Sequence, residues 1–450
     1  MPLSGIVGIF SAEKNHVSPV IYYGLYALQH RGQVSTGMAV NNNGFIDYIK
    51  DLGLIHEVVS KESLERFRGN IAIGHVRYAA QFEAKNKVNA QPLVVGYRRG
   101  ALAIAMDGSI VNFRSLRGEM EDSGSIFQTD LDTEVIAALI AKYHKDDLSE
   151  AMIKSLKEVR GSYAIVAMTS ERMVAARDPH GIKPLSIGKL DRDYMIASES
   201  CAFDAVGANF VRDVEPGEII VIDKDGLKSI YKESAKRSLC IFELVYLARP
   251  DSTMDEKSVY MARFEVGKRL YREFPEIEAD IVIGAPDSGI VAAIGYAEAS
   301  GIPYAEGMIK NRYVGRTFIE PTQEIREQGV RIKLNPLKEN IRGKRLVLVD
   351  DSIVRGTTMK RTVEMLKNAG AKEVHVRIAS PPVMHSCHLG VDTPSEENLI
   401  SSRMGISEVA KEIGADSLYF ISLEGLVAAT GGDNGFCKGC FSGSYPVDKE

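Results

Sequence analysis

The stretch RLVLVDDSIVRGTTMKR, residues 345–361, constrains this chain more than any other. Leu346 to Val349 is a short unbroken apolar run, the pattern of a strand buried on both faces in a parallel sheet. It ends in two adjacent acids, Asp350 and Asp351. A small polar loop follows, with Ser352, Arg355, Gly356, Thr357 and Thr358. Met359, Val363, Leu366 and Ala369 then recur at helical spacing, and Gly370 supplies a C-terminal stop. A strand, a tight polar loop and a helix N-terminus make an anion site, because free backbone N–H groups and the positive end of the helix dipole face whatever sits there. Two carboxylates at the strand end suit sugar hydroxyls or a hydrated Mg²⁺. The combination predicts a ligand with a phosphate at one end and vicinal hydroxyls beside it, a sugar phosphate. No Gly-Lys-Ser/Thr closes the loop, so it is not a Walker A site.

This pattern resembles the phosphoribosyl pyrophosphate (PRPP) loop of type I phosphoribosyltransferases. Further residues fit that resemblance. An apolar run, Ala279 to Gly284, leads into Ala285-Pro286-Asp287-Ser288-Gly289 and a helix of small residues. Residues 310–337 are basic and polar with little apolar period, as in a functional loop inserted in an α/β domain. The resemblance implies that Asp350 and Asp351 hold the ribose hydroxyls and Mg²⁺, with Ser288 on the metal. It implies that Ser352 to Thr358 cradle the 5′-phosphate. Lys310, Arg312, Tyr313 and Arg316 would lie on the loop that closes over PRPP, and Arg331 and Lys333 continue its basic character.

At 450 residues the chain is too long for one ordinary core, so two domains are expected, 1–235 and 236–450. The polar segment from Asp223 to Arg237 reads as the link between them. A hydrophobic content of 45% with 26% charged residues is that of a globular enzyme. A net charge of −5 and a pI near 6.1 argue against a nucleic-acid-binding surface. No apolar run reaches the ~18 residues of a membrane span. The opening MPLSGIVGIF is too short and uncharged for a signal peptide, so a cytoplasmic location is expected.

The first half reads as many short strands with two helical layers, an α+β sandwich. Ser4 to Phe10 reads as a strand, Pro19 to His30 as a helix, and Ala101 to Met106 as a strand ending in Asp107-Gly108. ALQHRGQ (27–33), GHVRY (74–78), LDTEVI (131–136) and ARDPHGIKPL (176–185) resemble the glutaminase domain of class II amidotransferases, which are N-terminal-nucleophile hydrolases of αββα fold. With both resemblances in order, the whole chain resembles the glutamine PRPP amidotransferase family, which opens de novo purine synthesis. That resemblance implies transfer of phosphoribose from PRPP to ammonia, giving 5-phosphoribosylamine and pyrophosphate. It also implies glutamine as ammonia source and a homo-oligomer.

The glutaminase half departs from that family. Its mature chains begin with a cysteine in Cys-Gly-Ile-Val-Gly, whereas this chain has Ser4-Gly5-Ile6-Val7-Gly8. An N-terminal nucleophile needs a free α-amine as base. Ser4 would gain one only by removal of Met1, Pro2 and Leu3. The family's Asn-Gly oxyanion pair is here Asp107-Gly108, and an ionised carboxylate accepts but does not donate. One lost oxyanion donor costs on the order of 10²–10³ in rate. Tyr78 is followed by Ala79-Ala80-Gln81-Phe82 in place of the family's Thr-containing segment. Arg77 and Asp132 remain where the family grips the carboxylate and α-amine of glutamine. The reading is a glutamine hydrolysis that is lost or weak, with ammonia delivered by a partner. Two alternatives stand: a Ser-dependent amidotransferase, and a non-catalytic paralogue that senses PRPP or glutamine.

Five cysteines in such a chain do not suggest disulfides. Cys437 and Cys440 form a CxxC, and Cys240 and Cys387 lie upstream. Such a set has several readings: zinc, a redox dithiol, an iron–sulfur cluster or none of these. In one branch of the resembled family, cysteines in these contexts hold a [4Fe–4S] cluster, so the resemblance implies iron–sulfur at Cys240, Cys387, Cys437 and Cys440. Cys201 reads as a small buried apolar residue.

Overall fold

The computed structural model describes residues 4–78, 86–233, 235–311, 334–432 and 435–450. Short apolar runs in the first half, most of them buried on both faces, build β1 (Ser4–Phe10), β2 (Ser35–Asn42), β3 (Phe45–Leu52), β4 (Ile71–Arg77), β5 (Leu93–Tyr97), β6 (Gly100–Ile110) and β7 (Gly161–Met168). The strands continue through β8 (Met173–Arg177), β9 (Ser186–Leu190), β10 (Asp193–Ala197), β11 (Asn209–Asp213), β12 (Glu218–Asp223) and β13 (Gly226–Lys232). They form a seven-stranded sheet, β11-β9-β10-β1-β4-β2-β3, and a six-stranded sheet, β13-β12-β8-β7-β6-β5. Small and branched side chains such as Ile6, Ala39, Ile73, Ala105, Ala164 and Ile196 fill the space between the sheets. Ile21 and Leu25 of the helix Ser18–Ala27 cover the outer face of the first sheet. Val135, Ile136 and Leu139 of the helix Asp132–Tyr143 cover the second. The layers run α, β, β, α.

Two expectations need correction. The strand expected to end in Asp107-Gly108 runs on to Ile110, because both residues stay paired with β7, Asp107 opposite Ala164 and Gly108 opposite Tyr163. The segment read as a linker contains β13, antiparallel to β12. An edge strand shows one side to water and tolerates charge there, so its polar sequence resembles a link. The chain leaves the first half between Lys232 and Leu239 instead. Leu239–Cys240 then pairs in parallel with Phe436–Cys437, joining the start of the second half to its tail.

The second half holds a parallel sheet in the order Ile281–Gly284, Arg345–Asp350, Glu373–Ile378 and Ser417–Phe420. Leu346 to Val349 are buried in its interior, as a continuous apolar run requires. The helices Ile290–Ser300 and Thr357–Asn368 follow the first two strands, and Val259–Glu273 packs against the former. Met308–Lys310 pairs with Leu334–Pro336, so the ends of the 310–337 segment form a short antiparallel ladder. Arg312, Tyr313, Arg316, Arg331 and Lys333 lie outside the described residues, as do Ala79 to Phe82.

Candidate functional site

The second-half site forms where two adjacent parallel strands end. Asp350 closes its strand, and Asp351 begins the loop with its N–H on the Asp350 Oδ1 at 2.9 Å. The Asp351 carboxylate takes two short bonds, from Ser288 Oγ at 2.6 Å and Ser352 Oγ at 2.5 Å. Ser288 arrives from the neighbouring strand's turn. Gly289 lets that turn press against the acid strand, since a Cβ there would lie 2.4 Å from the Val349 carbonyl oxygen. Burial, and then the charge of Asp351, hold the Asp350 carboxyl well above its usual range. Such a pair accommodates a cation readily, because a cation offsets both penalties.

Gly356 takes a left-handed φ of 79° just before the helix Thr357–Asn368, so Thr357 and Thr358 open that helix. Its first N–H groups have no acceptor within the helix and face the loop after the acid pair. The ammonium of Lys310 pairs with the Asp287 carboxylate on the Ser288 turn. Thus Ser288, Asp350, Asp351, Ser352, Gly356 and Thr357 share one strand-end region, with Lys310 at its rim. A cavity of about 10 Å³, room for roughly one water-sized molecule, adjoins it. Ser288, Asp351, Arg263, Leu244 and Val245 are among its walls.

The first-half site gathers around β1. Ser4 pairs with Arg77 on β4, which pairs in turn with Ser35 on β2. Asp132 sits at the start of its helix and accepts from the Ile110 N–H at 3.0 Å, and burial raises its pKa. Next to Arg77 on β4, His75 is fully buried, with Nε2 3.2 Å from the Met106 carbonyl oxygen. Burial, and then the charge of Arg77, push its pKa down to about 3.

Asp107 does not face an open pocket. Its Oδ1 accepts from the Ser4 N–H at 3.1 Å, and its Oδ2 from Arg31 Nη2 at 3.1 Å. Lys183 Nζ lies 3.6 Å from Oδ1. Gly108 has φ 140°, and a Cβ there would lie 2.1 Å from the Ser162 carbonyl oxygen, so only glycine fits. Arg31 and Lys183 were not singled out from the sequence, although both lie within quoted motifs.

The four cysteine segments meet at the junction of the halves. Cys240 and Cys437 are direct partners in the parallel pairing. The Cys440 carbonyl accepts the N–H groups of Met384 and His385, and Cys387 Sγ accepts from the Leu389 N–H at 3.3 Å. All are free thiols. Burial, then Cys437, raises the Cys240 thiol pKa, and burial pushes Cys437 up to about 11. Among the described residues, no three His, Cys, Asp or Glu side chains converge tightly enough to hold a single metal ion. The four cysteine segments expected around one metal centre neighbour one another, but the described residues show no assembled metal site. No helix among the described residues is long and apolar enough to cross a membrane.

Comparison with known proteins agrees with this layout. Residues 75–205 match a family model described as a glutamine amidotransferase domain, and residues 264–380 a phosphoribosyl transferase domain. The amidophosphoribosyltransferase of Archaeoglobus fulgidus is 48% identical over 99% of this chain and 98% of its own. That of Bacillus subtilis is 48% identical over 99% and 94%. A solved structure of the B. subtilis glutamine PRPP amidotransferase, complexed with ADP and GMP, superposes with a TM-score of 0.93 at 47% identity, covering 99% of this chain and 98% of that one. A glutamine amidotransferase domain is followed by a phosphoribosyl transferase domain, and the chain belongs to the amidophosphoribosyltransferase family.

Proposed function

We infer that the chain transfers phosphoribose from PRPP to ammonia, yielding 5-phosphoribosylamine and pyrophosphate at the entry to purine biosynthesis, and that its own hydrolysis of glutamine is lost or weak. The observation that carries this reading is the contrast between the acid pair braced by Ser288 and Ser352 and the Asp107 carboxylate locked between Ser4, Arg31 and Lys183. We place the domain boundary at 235/236 and the protein in the cytoplasm, as a homo-oligomer that takes ammonia from a partner.

Displacement at the sugar C1 builds positive charge on the ribose and negative charge on the leaving pyrophosphate. Asp350 and Asp351 take the ribose hydroxyls, and their negative charge favours the cationic sugar. Ser352, Arg355, Gly356, Thr357 and Thr358 hold the 5′-phosphate at the helix N-terminus. Lys310, with Arg312, Tyr313 and Arg316, meets the diphosphate. One or two carboxylates plus substrate phosphates are the usual Mg²⁺ ligands, so Asp350, Asp351 and Ser288 fit that ion. When bound, it neutralises charge on the diphosphate.

In the first half, Arg77 and Asp132 would take the carboxylate and α-amine of glutamine. Ser4 stands at the nucleophile position, and its N–H is engaged by Asp107. Asp107 and Gly108 occupy the oxyanion position, and an ionised Asp107 offers no donor. The thiols Cys240, Cys387, Cys437 and Cys440 would hold a [4Fe–4S] cluster, which takes four cysteine thiolates, and the Leu389 N–H donates to the Cys387 sulfur.

Steady-state pyrophosphate release from PRPP and Mg²⁺, with ammonium or glutamine as donor, tests the transfer. Turnover with ammonium alone is expected, and none with either donor would refute it. Anaerobically purified protein should be brown and contain iron and acid-labile sulfide, whereas zinc alone would overturn the cluster.

A further inference from the structure

The carboxylate at position 107 belongs to a buried ionic cluster that the reaction above does not use. Arg31, Asp107, Lys183, Glu199 and Glu243 are all at most 1% exposed. Arg31 holds the group together. Its Nε donates to the Ser4 carbonyl at 2.8 Å, and Nη2 to Asp107 Oδ2 at 3.1 Å and Glu243 Oε1 at 2.9 Å. Its Nη1 donates to Glu243 Oε2 at 3.0 Å and to Glu199 Oε1 at 2.7 Å. Burial works against the guanidinium charge, but Glu243, Glu199 and Asp107 outweigh it and hold its pKa well above the usual value.

Glu243 comes from the second half and opens the π-helical turn Glu243–Leu247. The next two side chains, Leu244 and Val245, wall the small cavity beside Asp351 and Ser288. From the other side, Arg263 Nε and Nη2 hold the carbonyls of Leu244 and Ala248 at 2.8 and 2.7 Å. The turn is therefore gripped at both ends, by Arg263 within the second half and by Arg31 from the first. Arg31 is aimed by two bonds to Glu243 and by one each to Asp107, Glu199 and the Ser4 carbonyl. Removing one member of a buried ionic group leaves the others uncompensated, which weakens the hold of the group on the turn.

We propose that Asp107 is a positioning residue for the transferase reaction: through Arg31 and Glu243 it fixes the Glu243–Leu247 turn, and with it the apolar wall of the cavity beside Asp351. The residue at the altered oxyanion position then serves the other active site. This rests on reading the second half as a site of phosphoribosyl transfer to ammonia. With this cavity taken as the amine's approach to the sugar, the effect falls on use of the amine. The phosphate loop after Ser352 is not gripped by this chain of contacts, so PRPP binding is spared.

Initial rates of pyrophosphate release, with ammonium and PRPP varied separately, test it on the full-length protein. Asp107→Asn is expected to raise KM for ammonium about tenfold, with KM for PRPP within about twofold of the parent. Glu243→Gln should do the same, and the double variant should be no worse than either single one, because both break one link. Additive effects, equal losses on both substrates, or an unchanged KM for ammonium in a folded Asp107→Asn protein would overturn the proposal. If Asp107→Asn does not fold, Glu243→Gln reads the same link from its other end, and an unchanged KM for ammonium there overturns it as well. A parent protein with no ammonium-dependent release refutes the transferase reading and this one with it. A parent that turns over while the variants match it refutes this one alone.

Discussion

The two sites of this chain are built from similar parts and arrive at opposite electrostatics. In the second half, Asp350 and Asp351 stand side by side at a strand end, with serine hydroxyls on Asp351 and a loop leading into the helix Thr357–Asn368. Their negative charge is under-compensated, which suits a site that takes up a cation and an anionic sugar together. In the first half, one carboxylate, Asp107, meets Arg31, Lys183 and the Ser4 N–H. Its charge is already answered by the protein, which suits a structural cluster and not a site for a developing oxyanion. An acid is poised for ligand in one place and satisfied in the other, and the neighbours decide which.

Substitutions at the acid pair should give the largest difference between the halves. Asp351→Asn removes the charge that Ser288 and Ser352 brace, and ammonium-dependent pyrophosphate release should fall on the order of 10²–10³-fold. Steady-state rates keeping more than a tenth of the parent activity would break the assignment of this site. Gly108→Ala is next. Its Cβ would meet the Ser162 carbonyl oxygen in a left-handed backbone conformation, so it should cost about 2 kcal/mol or more of stability by denaturant titration. A near-neutral change would show that the β6–β7 pairing can shift.

pH gives an effect of comparable size, contributed in the first half by the buried His75. Burial, then Arg77, keeps the folded His75 pKa at about 3, against an ordinary 6.5. Below pH 6.5 the unfolded chain takes up a proton that the folded one refuses. Stability from this group is therefore complete above pH 6.5 and falls as pH drops toward 3, by up to ~1.4 kcal/mol per pH unit. Denaturation at pH 7 and pH 5 should show that slope, and His75→Gln should flatten it. The smallest effect expected is from Ser4→Cys. A better nucleophile still faces Asp107, so glutamine-dependent pyrophosphate release should gain less than about tenfold. A larger gain would mean that the oxyanion position is intact.

The strand-end arrangement proposed as the transferase site was legible in the sequence because its parts are contiguous: strand, acid pair, loop and helix lie within residues 345–370. Ser288 needed only the parallel pairing of the neighbouring strand. The ionic cluster was not legible, since Arg31 meets Glu199 and Glu243 across 168 and 212 residues. No local pattern distinguishes those glutamates from surface ones. The same limit explains β13, whose exposed edge carries the charges of a linker. The altered residues Ser4 and Asp107 could be read as departures, but only the fold brings Arg31 and Lys183 to them.

The most direct test of the central claim is a paired measurement on anaerobically purified protein: kcat/KM for pyrophosphate release from PRPP and Mg²⁺ with ammonium and with glutamine. The account predicts clear turnover with ammonium and a glutamine value at least about 10²-fold below it, the cost of a lost oxyanion donor. Comparable values with both donors would contradict it, because a working glutaminase would then coexist with the locked Asp107.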